Sequence, residues 1–300
     1  MGAVESNKLE AVSPLFAEIH AQYGVAFDAA LARNVTDALA EDIGPGDQTG
    51  RLVPSDDVRD ARIIVREDAM LLCGVPWFEA VMRQVDPRIK VQWRYREGER
   101  MTADTTVCEM RGPVRALLTA ERNALNFLQL LSGVASATRR YVDAVAHTRT
   151  RILDTRKTLP GLRLAQKYAV RVGGGANQRL ALYDGILIKE NHIAAAGGVG
   201  AAMDAALALN AGVSIQIEVE TLEQLETALA HRAQSILLDN FSFDAMREAV
   251  RITAGRAVLE VSGGVNFDTV RTIAETGVDR VSIGALTKDV RATDYSMRIV

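Results

Sequence analysis

Positive charge is concentrated in one short stretch of this sequence. The segment from Arg149 to Arg179 contains a single acid, Asp154, although the formal net charge of the 300 residues is −3. The eight cations of the segment are Arg149, Arg151, Arg156, Lys157, Arg163, Lys167, Arg171 and Arg179. Arginine holds carboxylates or phosphates with a planar fork of donors, and lysine supplies a mobile point charge. We therefore expect this segment to serve a small ligand with several anionic groups.

Other polar residues follow short apolar runs in the second half of the chain. Lys189 ends "GILIK", Glu218 lies within "IQIEVE", and Asp239 ends "SILLD"; glycine-containing turns, Ser262–Gly264 and Ile283–Ala285, follow the last two runs. Acids beside so many cations suit Mg²⁺ bound through water, or sugar hydroxyls. Glycine turns let backbone N–H groups approach a phosphate. Any one of these residues alone is typical of a solvated loop. Their order along the chain, however, predicts an anion subsite first, then a metal subsite and finally a phosphate subsite.

The elements that must position these residues are βα units. The apolar runs "RILDT", "GILIK", "VSIQIEVE", "SILLD", "AVLEVS" and "RVSIG" recur roughly every 20 to 35 residues, with helical patterns between them. We predict helices at 222–233, 243–253 and 267–276. Such a series favours an α/β barrel, with an open doubly wound sheet as the second possibility. In either fold, ligands bind at the carboxyl ends of the strands.

The first half has a different pattern. Strands are predicted at "DARIIVRE", "KVQWRY" and "TVCEMRG", and helices at "VTDALAEDIG", 76–85 and 115–131. Strands and helices in this irregular order indicate an α+β sandwich. We place the domains at 1–135, joined by the C-terminal segment 287–300, and at 136–286.

Composition excludes several classes of protein. Hydrophobic residues make up 48% of the chain and charged residues 24%, which is usual for a globular protein. A pI near 5.9 argues against a general nucleic-acid binder. Two cysteines, Cys73 and Cys108, are too few for a disulfide scaffold and are expected to be reduced and buried. No run suits a membrane span or a secretory signal, so we expect a cytoplasmic protein without nucleic-acid or membrane partners.

Several of these motifs together resemble a known family. "TRKTLPGLR", "QKYAV" followed by "GGG", "LIKENHI", "IEVE", "LLDN", "SGG" and "SIGAL" occur in the order and spacing of quinolinate phosphoribosyltransferases, the decarboxylating nicotinate-nucleotide pyrophosphorylases of NAD biosynthesis. In the first half, "EDIGPGDQT" and "ERNALNFLQLLSGVAS" are similar to the same family. The resemblance implies an incomplete parallel barrel beside an α+β sandwich, the type II phosphoribosyltransferase fold, in a homodimer that shares residues between active sites.

The resemblance also implies substrates and residue roles. Quinolinate and phosphoribosyl pyrophosphate (PRPP) would react in the presence of Mg²⁺ to give nicotinate mononucleotide, pyrophosphate and CO₂. The implied catalytic residues are Lys157, Lys189, Glu218 and Asp239. The implied substrate-binding residues are Arg122 from the other subunit, Thr155, Arg156, Lys157, Gln178, Arg179, Lys189, Glu218, Asp239, Ser262, Gly263, Gly264, Ile283, Gly284 and Ala285. Glu218 and Asp239 would hold the metal through water, with Glu220 as an alternative to Glu218.

The chain departs from the family pattern at Gln178. The family usually has "NHR" where this sequence has Asn177-Gln178-Arg179. Glutamine can donate and accept hydrogen bonds, but it cannot carry a proton. We therefore predict retained activity with an altered pH dependence. His192, next to Lys189, is expected to orient the loop after the strand.

Three other functions remain possible from the sequence. A barrel lyase could form a Schiff base on Lys189. A phosphoribosyltransferase of the same fold could act on another base, such as nicotinate. A protein without catalytic activity could bind anions, although Glu218 and Asp239 would then be placed unfavourably beside the ligand.

Overall fold

The computed structural model describes residues 14–55 and 57–300, which form two compact units. The first unit consists of the described residues up to Ala137, together with Leu159–Gly174 and Asp289–Val300. The second consists of Thr138–Thr158 and Gly175–Lys288. The expectation that no secretory signal is present concerns residues outside the described part.

Helices and strands alternate along most of the described chain. The helices are α1 (Pro14–Tyr23), α2 (Val25–Ile43), α3 (Val75–Val85), α4 (Val114–Ala144), α5 (Arg163–Val172), α6 (Glu190–Ala196), α7 (Val199–Ala208), α8 (Leu222–Ala230), α9 (Phe243–Thr253), α10 (Val270–Glu275) and α11 (Ala285–Lys288). The strands are β1 (Val58–Val65), β2 (Lys90–Trp93), β3 (Thr106–Pro113), β4 (Arg151–Leu153), β5 (Gly185–Ile188), β6 (Ser214–Val219), β7 (Ser235–Asp239), β8 (Val258–Ser262), β9 (Arg280–Ser282) and β10 (Tyr295–Ile299). No helix among the described residues combines the length and apolar character that a membrane span requires.

The first unit contains an antiparallel sheet in the order β10-β1-β3-β2. Along β3, Cys108 and Met110 are buried whereas Glu109 and Arg111 are exposed, the alternation of a sheet that is covered on one face. The C-terminal strand β10 pairs with β1, so the end of the chain completes this sheet. The α+β class predicted for the first half is confirmed.

Helix α5 belongs to the first unit although it lies far along the chain. Its apolar face buries Tyr168, whose ring centroid lies 5.4 Å from that of Trp77 and 5.8 Å from that of Phe27. Large aromatic rings in contact contribute strongly to a core. The predicted range 136–286 assigns this helix to the second domain, whereas its aromatic contacts are with the first unit.

The second unit is built on a parallel sheet in the order β4-β9-β8-β7-β6-β5. The central strand β7 buries three successive residues, Ile236, Leu237 and Leu238, because both faces of the sheet are covered. Strands β4 and β5 end the sheet on its two sides and do not pair with each other in the described chain. The predicted incomplete parallel barrel is confirmed.

The bounds of several helices differ from the prediction. Helix α10 begins at Val270 rather than 267, because the side chain of Asn266 accepts hydrogen bonds from the backbone N–H groups of Asp268 and Thr269. Such a turn is a common use of asparagine. Helix α4 extends to Ala144, well beyond the predicted end at 131. The pattern at Gly173–Gly175 predicts positive φ angles, and Gly174 adopts one, at 88°.

Candidate active site

The register of the parallel strands brings the candidate residues to one edge of the second unit. Ile188 pairs with Ile217, which places Lys189 beside Glu218. Asp239 pairs with Ser262 across β7 and β8. Because parallel strands end at the same edge, the loops that follow β4 to β9 converge there.

Two arginines form the cationic side of this edge. The Nε atom of Arg156 is buried and has no hydrogen-bond partner among the described residues. Arg179 donates from Nη1 to the carbonyl of Gly185 at 2.6 Å. Burial, followed by the neighbouring charge of Arg156, lowers the pKa of Arg179, with Asp184 opposing the change. Two guanidinium groups in this relation are stabilised by an anion that contacts both.

Lys157 lies over the turn between β9 and α11. A Cβ atom on Gly284 would lie 3.0 Å from Lys157 Cδ, so the lysine side chain packs closely against this turn. The hydroxyl of Thr287 donates to the carbonyl of Lys157 at 2.8 Å, and the backbone N–H of Lys157 donates to Thr155 Oγ1 at 3.0 Å. These contacts bring a lysine to the turn predicted to hold a phosphate, which includes Ile283 and Ala285.

Lys189 and Glu218 form an ion pair at the centre of the edge. Lys189 Nζ lies 3.1 Å from Glu218 Oε2, and the Glu218 side chain is only 12% exposed. Glu220 follows the end of β6 and is exposed. The structure therefore places Glu218, rather than Glu220, beside the cations. His192 Nδ1 accepts the backbone N–H of Lys189 at 3.0 Å, in agreement with the orienting role expected for it.

Asp239 is fixed between two neighbouring loops. Asn240 Nδ2 donates to Asp239 Oδ2 at 2.9 Å. A Cβ atom on Gly263 would lie 2.9 Å from Asp239 Oδ1, and the φ angles of Gly263 and Gly264 are 91° and 61°. Glycine at position 263 therefore lets the turn after β8 approach the Asp239 carboxylate more closely than any other residue type would allow.

The cation-rich segment is divided between the two units. Arg171 pairs with Glu18 at 2.5 Å in the first unit, and Lys167 in α5 is fully buried there. Arg149 precedes β4, at the opposite end of the strand, and its Nη2 donates to the carbonyl of Gly277 at 3.0 Å. Arg122 is an exposed residue of α4 in the first unit. Of the eight cations, Arg156 and Lys157 follow the end of β4 in the second unit, and Arg179 lies there in the segment between α5 and β5.

Sequence reasoning did not identify Glu260. This residue of β8 is fully buried, and both of its carboxylate oxygens accept from Gln178 Nε2 at 2.8 Å. The predicted site residue Gln178 is thus engaged by an acid inside the barrel. An acid in the middle of the apolar run "AVLEVS" is the signal that could have revealed it, because ionisable residues are seldom fully buried unless they are paired.

The fold is that of an α/β barrel whose strand ends carry cationic and acidic side chains, an arrangement typical of enzymes that act on anionic substrates. Two family models match the chain: the N-terminal domain of quinolinate phosphoribosyl transferase over residues 47–132, and its C-terminal domain over 134–298. The chain belongs to the quinolinate phosphoribosyltransferase family, as its motifs predicted. It is therefore a pentosyltransferase of NAD biosynthesis.

Relatives and solved structures agree with this assignment. The chain is 41% identical to the nicotinate-nucleotide pyrophosphorylase [carboxylating] of Mycobacterium leprae over 90% of this chain and 97% of that protein. It is 38% identical to the probable enzyme of the same name from Bacillus subtilis over 86% of this chain and 90% of the relative. The structure of the nicotinate-nucleotide pyrophosphorylase from Francisella tularensis superposes with a TM-score of 0.89 at 44% identity, covering 93% of this chain and 98% of the other.

Proposed function

We propose that this protein transfers the phosphoribosyl group of PRPP to the ring nitrogen of quinolinate at the carboxyl ends of β4 to β9. The products are nicotinate mononucleotide, pyrophosphate and CO₂. The observation that carries the proposal is the pair of neighbouring guanidinium groups of Arg156 and Arg179, of which Arg156 Nε is buried without a partner among the described residues. A dicarboxylate supplies the charge and the acceptor atoms that this pair needs.

Each group at the edge has a role in this reaction. Arg156, Arg179 and Lys189 bind the two carboxylates of quinolinate. Thr155 and Lys157, with the turns Ser262–Gly264 and Ile283–Ala285, bind the phosphates of PRPP. Glu218 and Asp239 accept hydrogen bonds from the ribose hydroxyls. Fixed charges and dipoles of this kind stabilise the charge that develops in the transition state.

The order of bond changes follows from the substrates. The pyridine nitrogen attacks the anomeric carbon of PRPP while the bond to pyrophosphate breaks, through an oxocarbenium-like transition state. The quaternised ring then accepts the electron pair that is released when the adjacent carboxylate leaves as CO₂, and a proton adds to that ring carbon. The protein mainly holds the reactants together and stabilises their charges.

Magnesium completes the proposal. Among residues 14–55 and 57–300 no group of three or more histidine, cysteine or acidic side chains could hold a metal ion. Mg²⁺ commonly retains several waters and binds through one or two carboxylates together with substrate phosphates. Glu218 and Asp239 would hold the ion in that mode, and the bound ion would supply positive charge near the pyrophosphate group of PRPP.

We further propose a cytoplasmic homodimer. The two cysteines are free and buried, as expected in a reducing compartment. Arg122 is exposed in the first unit, and we assign it to the quinolinate subsite of the partner subunit.

The test is a turnover assay with purified protein, PRPP and Mg²⁺, given either quinolinate or nicotinate, in which nucleotide and CO₂ are followed. We expect turnover of quinolinate alone, with CO₂ released in equal amount. Turnover of nicotinate instead would assign the scaffold to another base. Inactivation by borohydride in the presence of a carbonyl substrate, without nucleotide formation, would support the Schiff-base alternative on Lys189.

A further inference from the structure

A polar cluster inside the barrel surrounds the buried Glu260, which has no assigned role in substrate binding. It consists of Glu260, Gln178, Gln216 and Ser235. Gln216 Nε2 donates to Glu260 Oε2 at 3.0 Å and to Ser235 Oγ at 3.2 Å, while Gln178 Nε2 donates to Gln216 Oε1 at 3.0 Å. Glu218 and Glu260 occupy the same row of the sheet, since both pair with Leu237 of the strand between them.

Glu260 is unusual because its partners are neutral. It is fully buried and accepts only from the amides of Gln178 and Gln216, and no cation pairs with it in the described part of the chain. Burying a carboxylate without a neighbouring cation lowers the stability of the fold. We therefore expect the oxygen atoms of Glu260 to hold another group of the protein in position.

The group held in place is the segment that carries Arg179. With its two amide hydrogens directed to Glu260 and Gln216, Gln178 turns its Oε1 atom toward the backbone, where it accepts from the N–H of Arg179 at 2.9 Å. The backbone N–H of Gln178 donates to Asp154 Oδ1 at 2.9 Å. The backbone of Arg179 is thus held by the half-buried Gln178 side chain, and the backbone of Gln178 is held by the buried Asp154.

We propose that Glu260 is a positioning residue for the quinolinate subsite. It does not contact substrate; its carboxylate fixes the orientation of the Gln178 amide, and this amide holds the backbone of Arg179. The inference rests on the proposed function, because Arg179 binds quinolinate only in that reaction. The acceptor-only character of the carboxylate matters, since an amide at position 260 would replace one of its two acceptor oxygens by a donor that faces the donor of Gln178 or Gln216.

Glu260→Gln is the principal variant, because it keeps the shape and replaces one acceptor oxygen by a donor. We expect the Gln178 amide to rotate in response, which directs its NH₂ group at the N–H of Arg179. We expect the KM for quinolinate to rise about tenfold, the factor that the loss of one hydrogen bond produces. The KM for PRPP should stay within about twofold, because Arg179 is assigned to the carboxylates of quinolinate and not to the phosphates of PRPP.

Ser235→Ala is the matched control. It removes the outermost hydrogen bond of the same cluster and leaves the connection from Glu260 through Gln178 to Arg179 intact. We expect both KM values of this variant to match those of the parent protein, even if its melting temperature falls as far as that of Glu260→Gln.

The outcomes separate this inference from the proposed function. If the parent protein does not turn over quinolinate, the proposed function fails. If the parent is active but Glu260→Gln raises both KM values equally, or behaves as Ser235→Ala does, the positioning role is rejected. Should Glu260→Gln not fold, Glu260→Met, which removes donor and acceptor together, must show the same rise confined to quinolinate. If neither variant folds, Glu260 serves stability alone and the inference is withdrawn.

Discussion

At the scale of single residues, we expect Lys189 to contribute much to quinolinate binding and little to the stability of the fold. Its ion pair with Glu218 at 3.1 Å is half open to solvent on the lysine side, and such pairs contribute about 0–1 kcal/mol to folding. Lys189→Ala should therefore lower the melting temperature by only a few degrees. We expect kcat/KM for quinolinate to fall by about a hundredfold or more, because a charge-assisted contact to a substrate carboxylate is lost.

Arg247→Ala is a suitable control for this prediction. Arg247 pairs with Asp244 on the exposed surface of α9, so the variant also removes one cation and one ion pair. Its kinetic constants should be those of the parent protein. Steady-state kinetics and thermal unfolding on both variants provide the comparison, and equal effects on kcat/KM would show that Lys189 acts only through general electrostatics.

A histidine at position 178 would add a group that titrates near neutral pH to the site. In Gln178→His the imidazole would lie beside the Glu260 carboxylate, and an adjacent negative charge raises a histidine pKa above its usual value of about 6.5. The charged imidazole would stabilise the fold and attract quinolinate below that pKa. As the pH rises through the raised pKa, both effects should be lost, so kcat/KM for quinolinate should decline. Profiles of variant and parent that coincide from pH 5.5 to 8.5 would contradict this prediction.

At the scale of elements, the start of α3 depends on a buried acid. Glu97 accepts hydrogen bonds from the backbone N–H groups of Gly74 and Val75, at 2.8 and 3.1 Å. Burial raises the pKa of Glu97 from 4.5 to about 7, against the lowering effect of these hydrogen bonds. The nearby Cys73 and Tyr168 also have a raised pKa because of burial, so they remain neutral.

Because the pKa of Glu97 is raised in the folded protein, the stability of the fold depends on pH. The folded protein binds a proton at Glu97 more tightly than the unfolded chain does, so stability should fall as the pH rises from 4.5 to about 7 and then level off. At about 1.4 kcal/mol per pH unit, ionisation of Glu97 should lower the free energy of unfolding by roughly 3 kcal/mol over that range. Glu97→Gln should remove this dependence in denaturant unfolding at several pH values, whereas Glu99→Gln, at an exposed position, should keep it.

The turn after β8 is a second element with a testable geometry. Gly263→Ala places a methyl group 2.9 Å from Asp239 Oδ1 at a φ of 91°. Gly255→Ala has a comparable φ of 77°, with no atom within 4 Å of its new Cβ. Both should lose about 1–2 kcal/mol of stability from backbone strain. Only Gly263→Ala should raise the KM for PRPP; an equal rise in Gly255→Ala would mean that strain alone is responsible.

At the scale of the whole molecule, the sequence predicts some features far better than others. The strands of the barrel were recognisable because β4 to β9 are short apolar runs followed by polar residues, a pattern set by local periodicity. The assignment of α5 to the first unit was not, since it depends on the aromatic contacts of Tyr168 with distant residues. Glu97 and Glu260 were missed for the same reason: acids are expected at the surface, and their burial becomes visible only when their donors are located.

The proposed sharing of Arg122 between subunits is the prediction that concerns the complete assembly. Arg122→Ala and Lys189→Ala should each be nearly inactive, because one lacks the residue given to the partner and the other lacks a residue of its own barrel. In a mixed population, half of the dimers are heterodimers, and each of these has one complete site, so activity should recover to about one quarter of the parent value. A mixture of Lys189→Ala with Glu218→Gln has both defects in the barrel and should recover nothing. If Arg122 instead served its own chain, a heterodimer would have no complete site, and activity measured after co-expression of the two variants would stay at the level of the single variants.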